Sequence, residues 1–342
     1  MSTMQAIANS GYGGAEVTSI IELPVPTPAE GEVQIRVAGG GLNPVDLRLR
    51  EGALKALLPL PLPFVVGNEL SGEISALGAG VTSLAVGDKV IVRVSKTGGT
   101  GAFSQYVVQP ANLVARAPTN ISLVDAAGLP LAGLTALQVL DKLGVKAGDK
   151  VLITAGAGGV GLLAIQLAKI RGAHVTTTAS SAGEELVRSV GADVVVDYKT
   201  TKLADLDTKF TQVFDCAGGD MTDVLAATAD NGRVITIAGT PTPSMLDSFD
   251  LPSWKRYLVS GAIWLQSRSV RNAASARGIA YEFLFMRPDG PELQQLSDYV
   301  TAGKLRVVID STFKFADYAD ALARLESKRS KGKVVIEFPA TA

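Results

Sequence analysis

Cysteine and histidine are nearly missing from this chain. Its 342 residues include one Cys, Cys216, and one His, His174. A single cysteine excludes a disulfide within the chain and any cluster of thiolate metal ligands. An excess of either charge is missing too. Lys and Arg number 32 against 33 Asp and Glu, a formal net charge of −1, and no Lys/Arg run interrupts that balance. A nucleic-acid partner is therefore not expected. No apolar run reaches the roughly 18 residues that would read as a membrane span, so no membrane partner is expected either. The opening MSTMQAIANSGYGG lacks the charged, apolar and small-residue order of a signal peptide, and a cytoplasmic protein is the expectation. What the chain does have is apolar residues, 47% against 19% charged. That is enough for a sizeable core, over a length that suits two domains or one domain with a large insertion.

Glycine is plentiful, and its densest run organises the chain. Val151 to Ile153 is an apolar run of strand length. Gly156-Ala157-Gly158-Gly159-Val160-Gly161 follows, then Leu162, Leu163, Ile165, Leu167 and Ile170 at helical spacing, a stop at Gly172, and a second strand-like run from Val175 to Thr178. Strand, glycine turn, helix and strand within about 30 residues is the βαβ unit that cradles a dinucleotide. Each glycine has a physical role. Gly156 takes the sharp exit from the strand, Gly158 lets a pyrophosphate approach the backbone, and Gly161 lets the helix pack closely on the sheet. The helix start, at Gly159 and Val160, offers N–H groups and partial positive charge to phosphate. No Lys-Ser or Lys-Thr follows the glycines, which excludes a P-loop.

Residues 1–125 read as a compact, barrel-like β domain. Short runs at Met4–Ala8, Val33–Val37, Val65–Val66, Gly72–Leu77, Lys89–Val94 and Phe103–Val108 alternate with turn signals such as Gly39-Gly40-Gly41 and Gly98-Gly99-Thr100-Gly101. Residues 126–266 alternate strands with helices, the pattern of a doubly wound parallel sheet of Rossmann type. Its strands are expected at Val194–Val196, Gln212–Phe214 and Val234–Ile237, with Leu258–Leu265 as a sixth. An alanine-rich helical region is expected from Ser269 to Phe283. The segment 267–342 is too small to stand alone and is expected to return to the first domain, with helices at Pro291–Val300 and Tyr318–Glu326 and strands at Val307–Ile309 and Val334–Phe338.

Taken together, Gly41-Leu42-Asn43-Pro44-Val45-Asp46, Gly67-Asn68-Glu69, Gly87-Asp88-Lys89-Val90, Leu129 to Ala136, the AGAGGVG run from Ala155, Gly191-Ala192-Asp193 and the KGKVV ending from Lys331 form a recognisable order. Through them the chain resembles the medium-chain dehydrogenase/reductase superfamily, and within it the zinc-free quinone oxidoreductases of the zeta-crystallin type. The resemblance covers almost the whole chain. It implies a GroES-like β domain closed by the C-terminal segment, a Rossmann domain, and an active site in the cleft between them.

Zinc-binding members carry Cys and His where this chain has Asn43 and Asn68, and the third ligand position falls on Leu131. Asp46 and Glu69 remain, but two carboxylates without a nitrogen or sulfur partner make a poor zinc site, so no metal is expected. His174 opens a strand and reads as structural. Cys216 reads as a small filler near the cofactor rather than a nucleophile. Without a metal, the nicotinamide supplies the hydride and the protein supplies orientation and electrostatics. The substrate should then already be electron-poor, a quinone or an enone. Asn43 and Asp46 are the catalytic candidates, Asn43 as an amide donor to a substrate oxygen or to the cofactor ribose. Asn before Pro also makes a turn, and Asp46 and Glu69 also suit structural ion pairs with Arg48, Arg50 or a Lys. The apolar segment Leu57–Phe64 is either a substrate wall or core.

By resemblance, Thr135 and the strand end Ala238-Gly239-Thr240 border the nicotinamide. At the adenosine end the second strand closes on Ser180 and Ser181 with no carboxylate following, and Tyr198 lies near, so NADPH is the expected cofactor. Gly183-Glu184-Glu185 stands where many relatives carry a Lys. The expected activity is NADPH-dependent reduction of quinones. A 2-alkenal or enone double-bond reductase and an NADPH-binding scaffold without turnover are the alternatives. A homodimer is expected, formed by pairing of the strand after Leu258.

Overall fold

The computed structural model describes residues 2–95, 101–249 and 251–339, so Gly98-Gly99-Thr100 lies outside the described residues. The chain forms two compact units, Met1–Leu134 with Pro288–Ala342, and Thr135–Arg287.

The first unit begins with β1 (Thr3–Asn9), β2 (Thr18–Pro24), β3 (Glu32–Gly41), α1 (Pro44–Arg50), β4 (Phe64–Val65), β5 (Glu69–Leu77), β6 (Lys89–Arg93), β7 (Tyr106–Pro110), β8 (Val114–Arg116) and α2 (Leu123–Ala126). In β3, Val33, Ile35 and Val37 are buried and Gln34 and Arg36 are only half-buried, the period of two that fixes which face meets the core. The strand pairs antiparallel with both β5 and β7. Pro44, at the first turn of α1, supplies a preset φ and lacks only an N–H the helix would not use.

α3 (Pro130–Leu143) leads into the second unit. There follow β9 (Lys150–Ile153), α4 (Gly159–Ile170), β10 (His174–Ala179), α5 (Ser181–Ser189), β11 (Val194–Asp197), β12 (Phe210–Asp215), α6 (Met221–Ala227), β13 (Thr228–Thr236), α7 (Ser253–Gln266), α8 (Arg268–Ser275) and β14 (Ala280–Phe283). The six strands pair in parallel in the order β11-β10-β9-β12-β13-β14. This is the doubly wound order, whose direction reverses at β9.

Two expectations are corrected here. Leu258–Leu265 lies in α7, not in a strand, and the sixth strand is β14, inside the stretch expected to be helical. A short apolar run does not by itself separate strand from helix. Pro252 sits immediately before α7, where its fixed φ suits a helix start. The sixth strand also moves the boundary. Residues 267–287 stay with the Rossmann unit because β14 pairs with β13, and the chain leaves that unit at Arg287 rather than Gln266.

The returning segment consists of α9 (Gly290–Thr301), β15 (Ile309–Lys314), α10 (Tyr318–Glu326) and β16 (Lys333–Glu337). β16 lies between β15 and β3, with Val335 opposite Gly41. Val334, Ile336 and Phe338 thereby join the core of Val33, Ile35, Leu70, Ile74 and Phe103. The C-terminal strand is thus an internal strand of the first unit's sheet. Among the described residues, no helix is long and apolar enough to cross a membrane.

Candidate active-site residues and family membership

The register of β16 against β3 brings Lys333 beside the start of α1. Its ammonium donates to Glu69 Oε1 at 2.6 Å, to Asn43 Oδ1 at 2.6 Å and to the Leu42 carbonyl at 2.8 Å. All three hydrogens of the ammonium are used. Glu69 is fully buried. Its Oε1 also accepts from Asn43 Nδ2 at 2.7 Å and its Oε2 from the Leu131 N–H at 2.6 Å. Gly41 makes room for this carboxylate, since a Cβ there would lie 2.5 Å from Glu69 Oε1 and from the Ala127 carbonyl.

Asn43 is buried, and its amide hydrogens go to Glu69 and to the Gly41 carbonyl at 3.3 Å. Both are thus engaged within the unit, and what the arrangement gives Asn43 is a bridging position between Glu69 and Lys333. Asp46 Oδ2 accepts from the Asn43 N–H at 2.7 Å and Oδ1 from Asn68 Nδ2 at 2.5 Å. Burial pushes the Asp46 carboxyl up to about 6, against the pull of Asn68, Asn43 and Lys333. Arg93 is buried beside these carboxylates. Burial lowers its guanidinium to about 10 while Asp46 and Glu69 hold it up, so it remains charged at neutral pH. Neither carboxylate pairs with Arg48 or Arg50. Arg50 instead reaches Glu326 at 2.5 Å. A recess beside the cluster is lined by Asp46, Leu49, Leu60, Phe64 and Asn68. Leu60 and Phe64 pack with Leu49 as core.

In the second unit, the turn after β9 places a left-handed φ at Ala155 (φ 52), not at Gly156. Gly156 is needed for another reason: a Cβ there would lie 2.1 Å from Thr177 Oγ1. Gly161 holds its expected place, since a Cβ would lie 2.4 Å from the Ala155 carbonyl and 2.7 Å from Gly156 Cα. Gly158 is the N-cap of α4 and makes no side-chain cap bond, so the first N–H groups of the helix, through Gly159, Val160 and Gly161, have no intrahelical acceptor. A Cβ on Gly158 would meet only the Ala155 carbonyl, at 3.3 Å. Nothing else stands within 4 Å of the position a Gly158 side chain would take. A dinucleotide pyrophosphate fits such a cradle, where free N–H groups and the helix dipole face an anion.

Asp215, fully buried at the end of β12, ties the loops at this edge of the sheet together. It accepts from the Thr154 and Thr236 hydroxyls, each at 2.7 Å, and from the Ala217 and Gly218 N–H groups at 3.2 Å. Thr236 Oγ1 in turn accepts from Ala238 N at 3.2 Å and Gly239 N at 2.7 Å. The Thr240 carbonyl takes the Tyr281 hydroxyl at 2.7 Å. Asp215 therefore fixes both the Cys216–Gly218 turn and the Ala238–Thr240 turn. Burial pushes the Cys216 thiol up, and Asp215 adds to the shift, which keeps the sulfur protonated and unreactive. Thr135 is buried near the start of the unit.

At the end of β10, Ser180 caps α5 without a side-chain cap bond, and Ser181 follows it. Tyr198 is exposed at the adjacent strand end. A carboxylate absent from the expectation lies here. Asp197 Oδ2 accepts from the Ser181 N–H at 3.1 Å, and Oδ1 from the Lys199 N–H at 2.9 Å. Asp197 belongs to the next strand, opposite Ala179 in the sheet, so a scan along β10 alone does not find it. Lys333 and Asp215 escaped for a related reason: their partners are distant in sequence.

The chain matches an alcohol dehydrogenase GroES-like domain over residues 29–119 and a zinc-binding dehydrogenase domain over residues 190–336. It is 34% identical to the chloroplast envelope quinone oxidoreductase homolog of Arabidopsis thaliana, covering 98% of both chains. The chain belongs to the medium-chain dehydrogenase/reductase superfamily. It is also 35% identical to the Arabidopsis thaliana NADPH-dependent alkenal/one oxidoreductase, over 97% of this chain and 79% of that one. Among solved structures of the superfamily, the quinone oxidoreductase from Coxiella burnetii superposes with a TM-score of 0.84 at 30% identity, covering 98% of this chain and 99% of the other.

The zinc that a zinc-binding dehydrogenase domain implies does not fit the residues present. The three matching positions hold Asn43, Asn68 and Leu131. The neighbouring carboxylate, Glu69, is neutralised by an ammonium at 2.6 Å. A divalent cation there would face the Lys333 charge and find no thiolate or imidazole. Among the described residues, no three His, Cys, Asp or Glu side chains are grouped to hold a metal.

Proposed function

We propose that the chain is an NADPH-dependent, zinc-independent oxidoreductase that reduces quinones by hydride transfer. The observation that carries this reading is the combination of a glycine cradle at α4 with Asn43, Asn68 and Leu131 at the positions that match the metal ligands, beside an ammonium bound to Glu69. The cofactor, when bound, supplies the hydride. This chain's own residues bind and orient. Gly158, Gly159, Val160 and Gly161 receive the pyrophosphate, Thr135 and the Ala238–Thr240 turn border the nicotinamide, and Asp215 holds that turn in place. Asn43 and Asp46 shape the first unit's contribution through the Lys333 and Glu69 network. A carbonyl acceptor without Lewis-acid help must be electron-poor from the start, as quinones are. The relatives named for quinones support this substrate class, and the relative named for alkenals and alkenones supports conjugated enones as the second reading.

Ser180, Ser181 and Tyr198 support NADPH over NADH by offering donors to a 2′-phosphate, each such bond to a charged group being worth about 1.5–3 kcal/mol. The Asp197 carboxylate beside Ser181 works against part of that gain. Steady-state rates with 1,4-benzoquinone, 9,10-phenanthrenequinone and a medium-chain 2-alkenal, each with NADPH and NADH, test the reading. The expected result is higher kcat/KM for a quinone than for the alkenal, with NADPH favoured about tenfold or more. In Ser180→Asp the NADPH preference should collapse through charge repulsion. Tight NADPH binding without oxidation by any acceptor would point instead to a scaffold. Equal use of both cofactors in wild type and variant would remove the 2′-phosphate reading.

A further inference from the structure

Asp215 is a fully buried carboxylate whose partners carry no charge: the Thr154 and Thr236 hydroxyls and the Ala217 and Gly218 N–H groups. This donor set keeps it ionised. Thr154 Oγ1 accepts from the Cys216 and Ala217 N–H groups at 2.9 and 3.1 Å, and Thr236 Oγ1 accepts from those of Ala238 and Gly239. Both lone pairs of each hydroxyl are used, so its one hydrogen goes to Asp215. A protonated Asp215 would meet four donors and no acceptor for its own hydrogen. Holding two turns needs only acceptors, which a neutral amide also offers. A full charge kept from water without a counter-ion is costly to fold around, and the tethers alone do not account for it.

Its place in the sheet supplies a reason. Asp215 closes β12, and its hydroxyl donors stand at the ends of the two flanking strands, Thr154 directly after β9 and Thr236 at the end of β13. The strand order of the doubly wound sheet reverses between β9 and β12, and a dinucleotide crosses the carboxyl edge of such a sheet at that point. In the proposed reading Ser180 and Ser181, at the end of β10, receive the adenosine end, which leaves β12 and β13 on the nicotinamide side. The two turns that Asp215 holds pack on each other there, since a Cβ on Gly218 would lie 2.3 Å from the Ala238 carbonyl. The charge is felt in both. Burial first, and Asp215 after it, push up the Cys216 thiol and the Tyr281 hydroxyl that bonds Thr240.

Hydride transfer to a quinone moves charge. The C4–H bond of the dihydronicotinamide breaks with both its electrons and an O–H bond forms on the quinone. The ring is left with one positive charge, and the hydroquinone anion takes a proton from water. A fixed carboxylate on the nicotinamide side attracts that positive charge as it develops and has no such attraction for the neutral reduced ring. Shielded from water, the attraction is stronger than it would be in solution, and no dipole has to reorient to supply it. We propose that Asp215 acts on hydride transfer through its charge, favouring the oxidised, cationic nicotinamide over the reduced one and so lowering the reduction potential of the bound cofactor. It acts from within the fold, without touching cofactor or substrate. The inference rests on the function proposed above.

The test is binding to the full chain, by calorimetric titration with NADPH, NADP+ and 2′-phospho-ADP-ribose, which lacks the ring. Asp215→Asn keeps the shape and removes the charge. It should raise the dissociation constant of NADP+ about tenfold more than that of NADPH and leave that of 2′-phospho-ADP-ribose unchanged. The potential of the bound couple then rises by about 30 mV. Thr236→Val keeps the charge and removes a tether of the Ala238–Thr240 turn, so it should weaken NADPH and NADP+ alike. Equal weakening of both forms by Asp215→Asn would make Asp215 a tether only and overturn the inference, and so would the same skew in Thr236→Val. Wild type decides alone should Asp215→Asn not fold: NADP+ should bind at least as tightly as NADPH, and tighter binding of NADPH would overturn the inference. If neither form binds wild type, the proposed function fails and the inference with it. If both bind and Asp215→Asn produces no skew, the inference alone fails.

Discussion

Lys333 is 264 positions from Glu69 in sequence, yet its ammonium and the Glu69 carboxylate lie 2.6 Å apart with almost no access to water. Two desolvated charges in contact depend on each other: removing one leaves the other buried and unpaired, at a cost of about 3–5 kcal/mol. Lys333→Met should therefore lower the unfolding free energy by about that much in chemical denaturation. Glu69→Gln with Lys333→Met should recover part of the loss, because no net charge is then stranded. The same ammonium bears on metal content. Wild type should hold less than about one-tenth of a zinc per chain by elemental analysis, and a chelator should leave the quinone rate intact, since no thiolate or imidazole stands at the matching positions. A stoichiometric zinc whose removal abolishes activity would contradict this. Asp46 carries the clearest pH signature. Its carboxyl is raised from 3.8 to about 6, mainly by burial, so the folded state holds a proton that the unfolded state has already lost. Its contribution to stability is thus greatest below pH 4, falls as pH rises towards 6, and is level above that, a difference of about 2–3 kcal/mol. Asp46→Asn should remove this slope, read as the difference between wild-type and variant stability across pH 4 to 7. An amide at position 46 also offers hydrogens to Asn68 Oδ1, which is buried without a partner. The variant should consequently be at least as stable as wild type at pH 7.

At the scale of elements, what was legible in the sequence was local. The β9–α4–β10 unit could be read because its signals lie within about 30 consecutive residues: a β-branched strand, glycines at fixed offsets, and a helical apolar stripe. The helix Tyr318–Glu326 and the stop at Gly172, with φ 80, were legible for the same reason. Where contact with another element decides the outcome, the sequence fell short. Leu258–Leu265 is apolar enough for either state, and what distinguishes it, an exposed face opposite a single buried Ile263, appears only in three dimensions. The site divides in the same way. The room that Gly161 leaves follows from the turn itself. Gly156 was assigned to the turn, whereas it is Thr177 on the neighbouring strand that excludes a side chain there. Asp197, Asp215 and Lys333 take their meaning from strands paired across the sheet, and no spacing along the chain marks them. The best test of the element that was read correctly is Gly161→Ala. The added methyl would sit 2.4 Å from the Ala155 carbonyl, forcing α4 outward at a cost of about 1–3 kcal/mol and displacing the N–H groups proposed to receive the pyrophosphate. NADPH affinity by fluorescence titration should fall about tenfold or more. Unchanged affinity would mean that α4 does not form the cradle.

At the scale of the whole molecule, the two units differ in how the chain builds them. The Rossmann unit is continuous. All six strands, β9 to β14, and their covering helices come from one stretch, with a core of its own around Leu152, Phe210, Val213 and Val234. The first unit is discontinuous. Its central strand β3 pairs with β16 near the end of the chain, and Glu69 waits for Lys333. Truncation should therefore affect them unequally. A fragment of residues 130–287, which keeps α3 whole, should fold alone with a cooperative melt that NADPH raises, by the mass-action stabilisation of any ligand that binds the folded form only. A fragment ending at Arg287 should retain that NADPH-responsive transition but lose the one belonging to the first unit. There β3 would lack its partner along Gly39 to Gly41, Val334 and Ile336 would be missing from the core, and the Glu69 charge would be buried without its ammonium. Calorimetry of the two fragments beside the full chain would show this directly. A second transition in the truncated chain as stable as in the full one would mean that residues 1–134 fold without the returning segment, and that β16 and Lys333 are additions to the first unit rather than part of what closes it.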